Sequence, residues 1–269
     1  MNGSGRSGAP DCLEKDRERL NNKMIKKKIY GLAFGLCLLL LWQGLAMAID
    51  ASYILPSPVQ VLDHLAENLP ELMLVHFPMT MRVVCIGMLI SIFLGLFLAV
   101  LMNLSLPLEK AIYPLLVFSQ TIPIICLAPI FVLWLGYTEK MRVFLVVLMS
   151  FFSVTVNVFD GFKAVKKENR ELLITYGAGR WKQLFYLQAP TALPYFFTSL
   201  KVGIPWAIVA ASVAEWFGAP GGLGNYSRIR MMSLDAAGLL APLIIISVTA
   251  LVFMALIRGL ERIILTWLK

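Results

Sequence analysis

Few side chains in this sequence are able to do chemistry, and several of those sit inside apolar runs. Gln120, Asn157, Lys201 and Glu215 interrupt stretches otherwise suited to a lipid core. Polar groups at such depth face a bundle interior or a watery cavity, because hydrocarbon offers them no partner. Lys201 and Glu215 are fourteen residues apart, which on one helix puts them within about 40° of each other. Lys201 also lies near enough to a helix start to snorkel towards an interface. Pro123 and Pro129 occupy one apolar run; each removes a backbone hydrogen bond and frees a carbonyl that can line a cavity. Either proline alone also reads as a packing kink. The chemistry these six residues offer is passage of a polar solute, not bond making or breaking.

Other reactive constellations are missing. His64 and His76 stand twelve apart, without the further ligands a zinc site requires, and read as surface histidines. No glycine-rich phosphate loop ending in Lys-Ser or Lys-Thr occurs, so the chain has no nucleotide site of that kind. The run Gly218-Ala219-Pro220-Gly221-Gly222-Leu223-Gly224 follows an apolar stretch rather than a strand, and reads as a tight turn or re-entrant segment. Cys37, Cys85 and Cys126 lie in apolar runs without close-spaced partners and read as small core hydrophobes. No catalytic residue, metal or cofactor is expected.

The elements that must position the polar residues are membrane helices. Of the 269 residues, 59% are hydrophobic and 15% charged, against about a quarter charged in soluble domains. Mean hydropathy is +0.77. Six apolar runs are long enough to cross a core about 30 Å thick: 29–49, 83–102, 111–136, 143–162, 195–217 and 239–257. Six spans put both termini on one side. With the termini inside, the inner segments carry 18 Lys and Arg and the outer segments 5, which sets both termini in the cytoplasm. The net charge of +8 therefore reports topology rather than nucleic-acid binding. Residues 1–28 read as a mobile cytoplasmic tail, and Met24, before Ile25-Lys26-Lys27-Lys28, is a candidate native start. Residues 29–269 form the membrane domain, whose longest inner connection is 163–194.

That connection is the most informative stretch. Glu168 and Glu171 suit a helix N-terminus, Leu172 or Leu173 shares a face with Tyr176, and Gly177 and Gly179 break the helix. A second amphipathic stretch runs from Arg180 to Gln188, and Pro190 and Pro194 lead back to the membrane. A short helix–turn–helix with an apolar knob fits a groove on another protein. A membrane-surface loop anchored by Trp181 fits the spacing as well. Glu171, Gly177 and Pro190 have the spacing of the EAA motif, and the loop resembles that of binding-protein-dependent ATP-binding cassette (ABC) transporter permeases. Leu187 stands for the motif's Ile, Leu172 and Leu173 for its two Ala, and Ala189 for its Leu. The likeness runs from about Tyr53 to Leu268. It includes Leu55-Pro56-Ser57-Pro58, Gln120-Thr121-Ile122-Pro123 and Glu215-Trp216-Phe217-Gly218, and is similar to the nitrate/sulfonate/taurine-type branch. Phe151-Phe152, Val156 to Gly161, Tyr195-Phe196-Phe197 and Leu260-Glu261-Arg262 look closest to permeases for thiamine pyrimidine precursors.

The resemblance implies an all-α type I importer permease in a bacterial plasma membrane, working as a homodimer. It implies an ATPase subunit beneath and an extracytoplasmic solute-binding protein above. Glu171, Leu172, Leu173, Tyr176, Gly177, Ala178 and Pro190 would couple the ATPase to the spans. The solute would be a thiamine pyrimidine precursor or a sulfonate-, nitrate- or taurine-like anion. The alternative is a secondary transporter working without an ATPase, although no inverted, paired halves are visible.

Overall fold

The computed structural model describes residues 30–267 apart from residue 32; the tail 1–28 and Met24 lie outside the described residues. Helices dominate, and no strand occurs among the described residues. The order is α1 (Ala33–Ile49), α2 (Pro58–Glu71), α3 (Phe77–Leu104), α4 (Leu106–Ser119), α5 (Ile124–Leu135) and α6 (Glu139–Lys163). Then come α7 (Lys167–Thr175), α8 (Arg180–Gln183), α9 (Ala189–Trp216), α10 (Leu223–Met232) and α11 (Ala236–Trp267).

Four continuous helices are long and apolar enough to cross a membrane: Pro58–Leu104, Glu139–Lys163, Arg180–Trp216 and Ala236–Thr266. Two differ from the sequence expectation. The run 83–102 is the end of a 47-residue helix that starts at Pro58. At 1.5 Å per residue that helix is about 70 Å long, far more than a bilayer core. Its first part, α2, carries Asp63, Glu67 and Glu71 and starts at a capping box. Ser57 Oγ accepts from the Gln60 N–H (3.2 Å), and Gln60 Oε1 accepts from the Ser57 N–H (2.9 Å). The run 195–217 is likewise continuous with the amphipathic stretch from Arg180.

Both long helices contain one π-helical turn, Leu72–His76 and Leu184–Gln188. Each turn is followed by a proline, Pro78 or Pro190, near the start of the next α-helical stretch. Proline has no N–H, and its ring collides with the carbonyl four residues back; a widened turn absorbs both defects. The helix therefore continues instead of ending.

The third difference is the run 111–136, which is two helices and not one span. Pro123 sits at the N-cap of α5 with ψ 127°, and α4 stops at Ser119. Proline also pushes the residue before it out of helical geometry. Pro129, inside α5, does not break its helix.

The core is a three-helix stack with α6 between α3 and α9. Lipid-soluble helices gain nothing from the hydrophobic effect against lipid, so close approach of backbones and interhelical hydrogen bonds hold them. Gly87 and Gly95 of α3 lie against Val146 and Val154 of α6, and Gly161 lies against Ala192 of α9. A side chain at any of the three would collide. Ser91 Oγ and Ser150 Oγ are 2.7 Å apart across the same interface. Val83, Met88, Val158, Phe159, Ile208 and Ala211 fill the rest. The outward faces are apolar: Phe93 and Phe97 on α3, Leu133 and Trp134 on α5, Leu251 on α11. Cys37 of α1, Cys85 of α3 and Cys126 of α5 are exposed too, which corrects their reading as core residues.

Candidate functional site

The break between α4 and α5 opens a cavity of about 540 Å³. Unpaired backbone at membrane depth is tolerated only where it is buried in protein or lines a water-filled space. Here Gln120 and Pro123 of the break face Asn157 of α6, so three of the six expected pathway residues share one wall. The Asn157 amide nitrogen donates to the Ser153 carbonyl (2.7 Å), leaving the amide oxygen as an acceptor. Ser119, Ser153, Phe152 and Trp206 complete the polar and aromatic lining. Of these, Phe152 enters the sequence reading only through the family resemblance, and Ser119, Ser153 and Trp206 not at all. The i, i+4 spacing of Ser153 and Asn157 was the available signal, since it places both on one helix face. The lining has no charged side chain.

The other three are elsewhere. Pro129 lines a separate hollow with Tyr137, Phe217 and Arg228. Lys201 Nζ lies 2.6 Å from Glu261 Oε2 of α11, so its charge ties two helices together. Glu215 is fully buried and closes the glycine-rich segment. Its carboxylate accepts from the Gly224 N–H (2.8 Å), while Gly222 (φ 113°) packs so closely that a Cβ there would meet the carboxylate at 2.3 Å. The same turn is held from the π-helical turn and the start of α3: His76 Nδ1 accepts from the Gly222 N–H (3.2 Å) and Thr80 Oγ1 from the Leu223 N–H (2.8 Å). The segment is thus a tight turn. His76 is buried, and His64 Nε2 is 3.0 Å from the Tyr226 hydroxyl, so neither is a free surface histidine. Their role here is to fasten α2 and α3 to α10. No metal-competent cluster occurs among the described residues.

At the opposite end, the connection after α6 folds as two helices around Gly177. The Ala178 N–H donates to the Leu173 carbonyl (3.0 Å) and the Gly177 N–H to the Ile174 carbonyl (2.9 Å). With Gly177 at φ 74°, this is a Schellman cap, which demands a left-handed residue at that point. The cap leaves Leu172 and Tyr176 exposed at 56% and 79%, beside Ile174. Trp181 and Phe185 stack with ring centres 6.1 Å apart and are exposed as well. Glu171 is exposed and pairs with Lys167 (3.7 Å). Gln183 fastens the turn by donating to the Ala178 carbonyl (2.8 Å), and Asn103 of α3 donates to Gln188 Oε1 (2.6 Å). The result is a braced apolar knob projecting from the bundle end.

A family model described as "Binding-protein-dependent transport system inner membrane component" matches residues 91–266, which includes the broken helix and the knob. The chain belongs to that family. Among its relatives, the formylaminopyrimidine transport permease protein ThiX of Halalkalibacterium halodurans is 44% identical over 237 residues, covering 88% of this chain and 94% of the relative. The taurine transport system permease protein TauC of Escherichia coli is 24% identical, covering 84% of each chain. The fold matches a chain of the MetNI methionine ABC transporter (TM-score 0.63, 15% identity, 71% of this chain and 95% of that one). It also matches a chain of an amino acid ABC transporter (TM-score 0.61, 19% identity, 73% and 96%). The protein is a multi-pass permease subunit of a bacterial ABC importer, with the type I importer fold. Its ATPase is a separate subunit.

Proposed function

We propose that this permease carries a neutral, planar heterocycle of the formylaminopyrimidine kind through the cavity at the α4–α5 break. The observation that carries the reading is the lining: amides at Gln120 and Asn157, hydroxyls at Ser119 and Ser153, rings at Phe152 and Trp206, and no cation. A pyrimidine with amino and amide substituents needs donors and acceptors at its edge and aromatic contact on its face. A sulfonate or nitrate anion would need a positive partner there, and Lys201 is already paired with Glu261. The name of the 44% identical relative points the same way.

The cavity opens beside Val202 and Trp206, which are exposed. A second copy of the chain, set against α5 and α9, would close it, so the working unit is a homodimer. Both termini and the 163–194 connection lie in the cytoplasm, as the charge bias requires. There the knob of Leu172, Leu173, Tyr176, Gly177 and Ala178, with Glu171 at its edge, docks into the ATPase. Motion of the ATPase dimer then tilts α9 through the π-helical turn before Pro190. A solute-binding protein delivers the solute at the other face.

The test is uptake by proteoliposomes holding the chain with its co-purifying ATPase and binding protein. ATP-dependent accumulation of labelled formylaminopyrimidine, not competed by taurine or nitrate, supports the reading. Taurine or nitrate uptake without formylaminopyrimidine uptake overturns it.

A further inference from the structure

A second cavity, of about 450 Å³, lies at the bundle end that bears the knob, away from the α4–α5 break. It is bounded by the last residues of α3 and α6, the start of α4, and α7 and α8. Three cations line it, Lys163, Arg170 and Arg180, against one acid, Glu109. Glu109 is already engaged by Lys163, which also stands over the Phe159 ring at 4.5 Å. Arg180 gives one donor to the Leu104 carbonyl (3.2 Å) and keeps the rest of its five. Two guanidinium groups are therefore left lining a hollow whose other walls include the apolar Met102, Leu106 and Phe162.

Basic residues near a membrane end commonly do no more than set topology. Such charges need only reach water. These two converge on one concavity from different helices, next to apolar surface, at the level where the long helices end. Guanidinium groups recognise phosphate oxygens by paired hydrogen bonds. We propose that this cavity binds a phosphate-bearing ligand, held by Arg170 and Arg180. An anionic phospholipid headgroup and a free phosphate compound share that chemistry. Either one would bridge α7 and α8 to the ends of α3 and α6, and so set how firmly the knob is held to the bundle. That consequence rests on the coupling role proposed above; the binding itself does not.

The experiment uses the full chain, delipidated in detergent, with native mass spectrometry and a titration of short-chain phosphatidylglycerol, phosphatidylcholine and inorganic phosphate. Phosphatidylglycerol is expected to bind in preference to phosphatidylcholine. The double variant Arg170→Gln/Arg180→Gln is expected to lose about 30-fold in affinity, and Arg170→Lys/Arg180→Lys, which keeps the charge but not the paired hydrogen bonds, to fall between it and the parent. Both arginines are exposed, so neither change removes a buried contact. Inorganic phosphate that binds by itself and displaces the lipid assigns the site to a free phosphate compound. Phosphatidylglycerol binding that inorganic phosphate does not displace assigns it to the headgroup. Equal binding of the two lipids together with no binding of inorganic phosphate overturns the proposal. So does unchanged binding by a monodisperse Gln variant, whether or not transport is intact.

Discussion

Replacing Gly222 with alanine is expected to destabilise the fold by about 2–6 kcal/mol, from two sources of about 1–3 kcal/mol each. The first is backbone strain. Gly222 has φ 113° and ψ 161°, a region that only glycine enters freely. The second is overpacking. The new methyl would lie 2.3 Å from the carboxyl carbon of Glu215, which has no room to retreat because it is fully buried and bonded to the Gly224 N–H. Displacing Glu215 would also free the turn from α9. Gly35 of α1 is the control: a methyl there meets nothing within 4 Å, so Gly35→Ala is expected to be neutral or slightly stabilising. The assay is thermal unfolding of purified protein in mild detergent, followed by size exclusion. Gly222→Ala is expected to melt well below the parent and to aggregate, with Gly35→Ala unchanged. A Gly222→Ala protein that melts with the parent would refute the reasoning, because strain and collision would then both be absent.

Other outcomes follow from the same geometry. Glu261→Gln leaves Lys201 without its partner, and the half-buried pair sits between the surface and buried limits, so a loss of about 1–3 kcal/mol is expected. The exchange Lys201→Glu/Glu261→Lys is expected to recover most of it in a double-mutant cycle. Asn157→Ala and Gln120→Ala each remove one neutral hydrogen-bonding group from the cavity wall. Each is expected to raise the apparent KM for uptake about 2- to 10-fold at unchanged melting temperature.

The fold class was legible because long apolar runs and charge bias depend on composition alone. The helix ends were less so. The polar face of α2 hid that Pro58–Leu104 is one helix, since hydropathy marks only the part inside lipid. The break at Pro123 and the widened turns before Pro78 and Pro190 follow one rule about proline. Yet sequence does not say which prolines end a helix and which are absorbed by a wider turn. Gln120, Pro123 and Asn157 converge; Pro123 is readable from the carbonyl a proline frees, and the two amides from polarity at depth. Lys201 and Glu215 were selected on the same ground and are found in an ion pair and a buried turn. Polarity in lipid demands a partner, and that partner is as often another helix or a loop as a solute. His64 and His76 were misread because their partners, Tyr226 and Gly222, lie about 150 residues away in sequence. The Gly177 cap was readable, because a Schellman motif is local.

The proposed role of the knob around Gly177 is to transmit the ATPase's motion. Gly177→Val tests it most directly, because a side chain there meets nothing within 4 Å yet is strained at φ 74°. The change therefore deforms the knob and leaves the bundle intact. Co-purification of the ATPase with parent and variant, alongside ATP-dependent uptake, is the measurement. The expected result is a folded variant at parental yield that retains little ATPase and transports little solute. A variant that holds the ATPase and transports at the parental rate would contradict it.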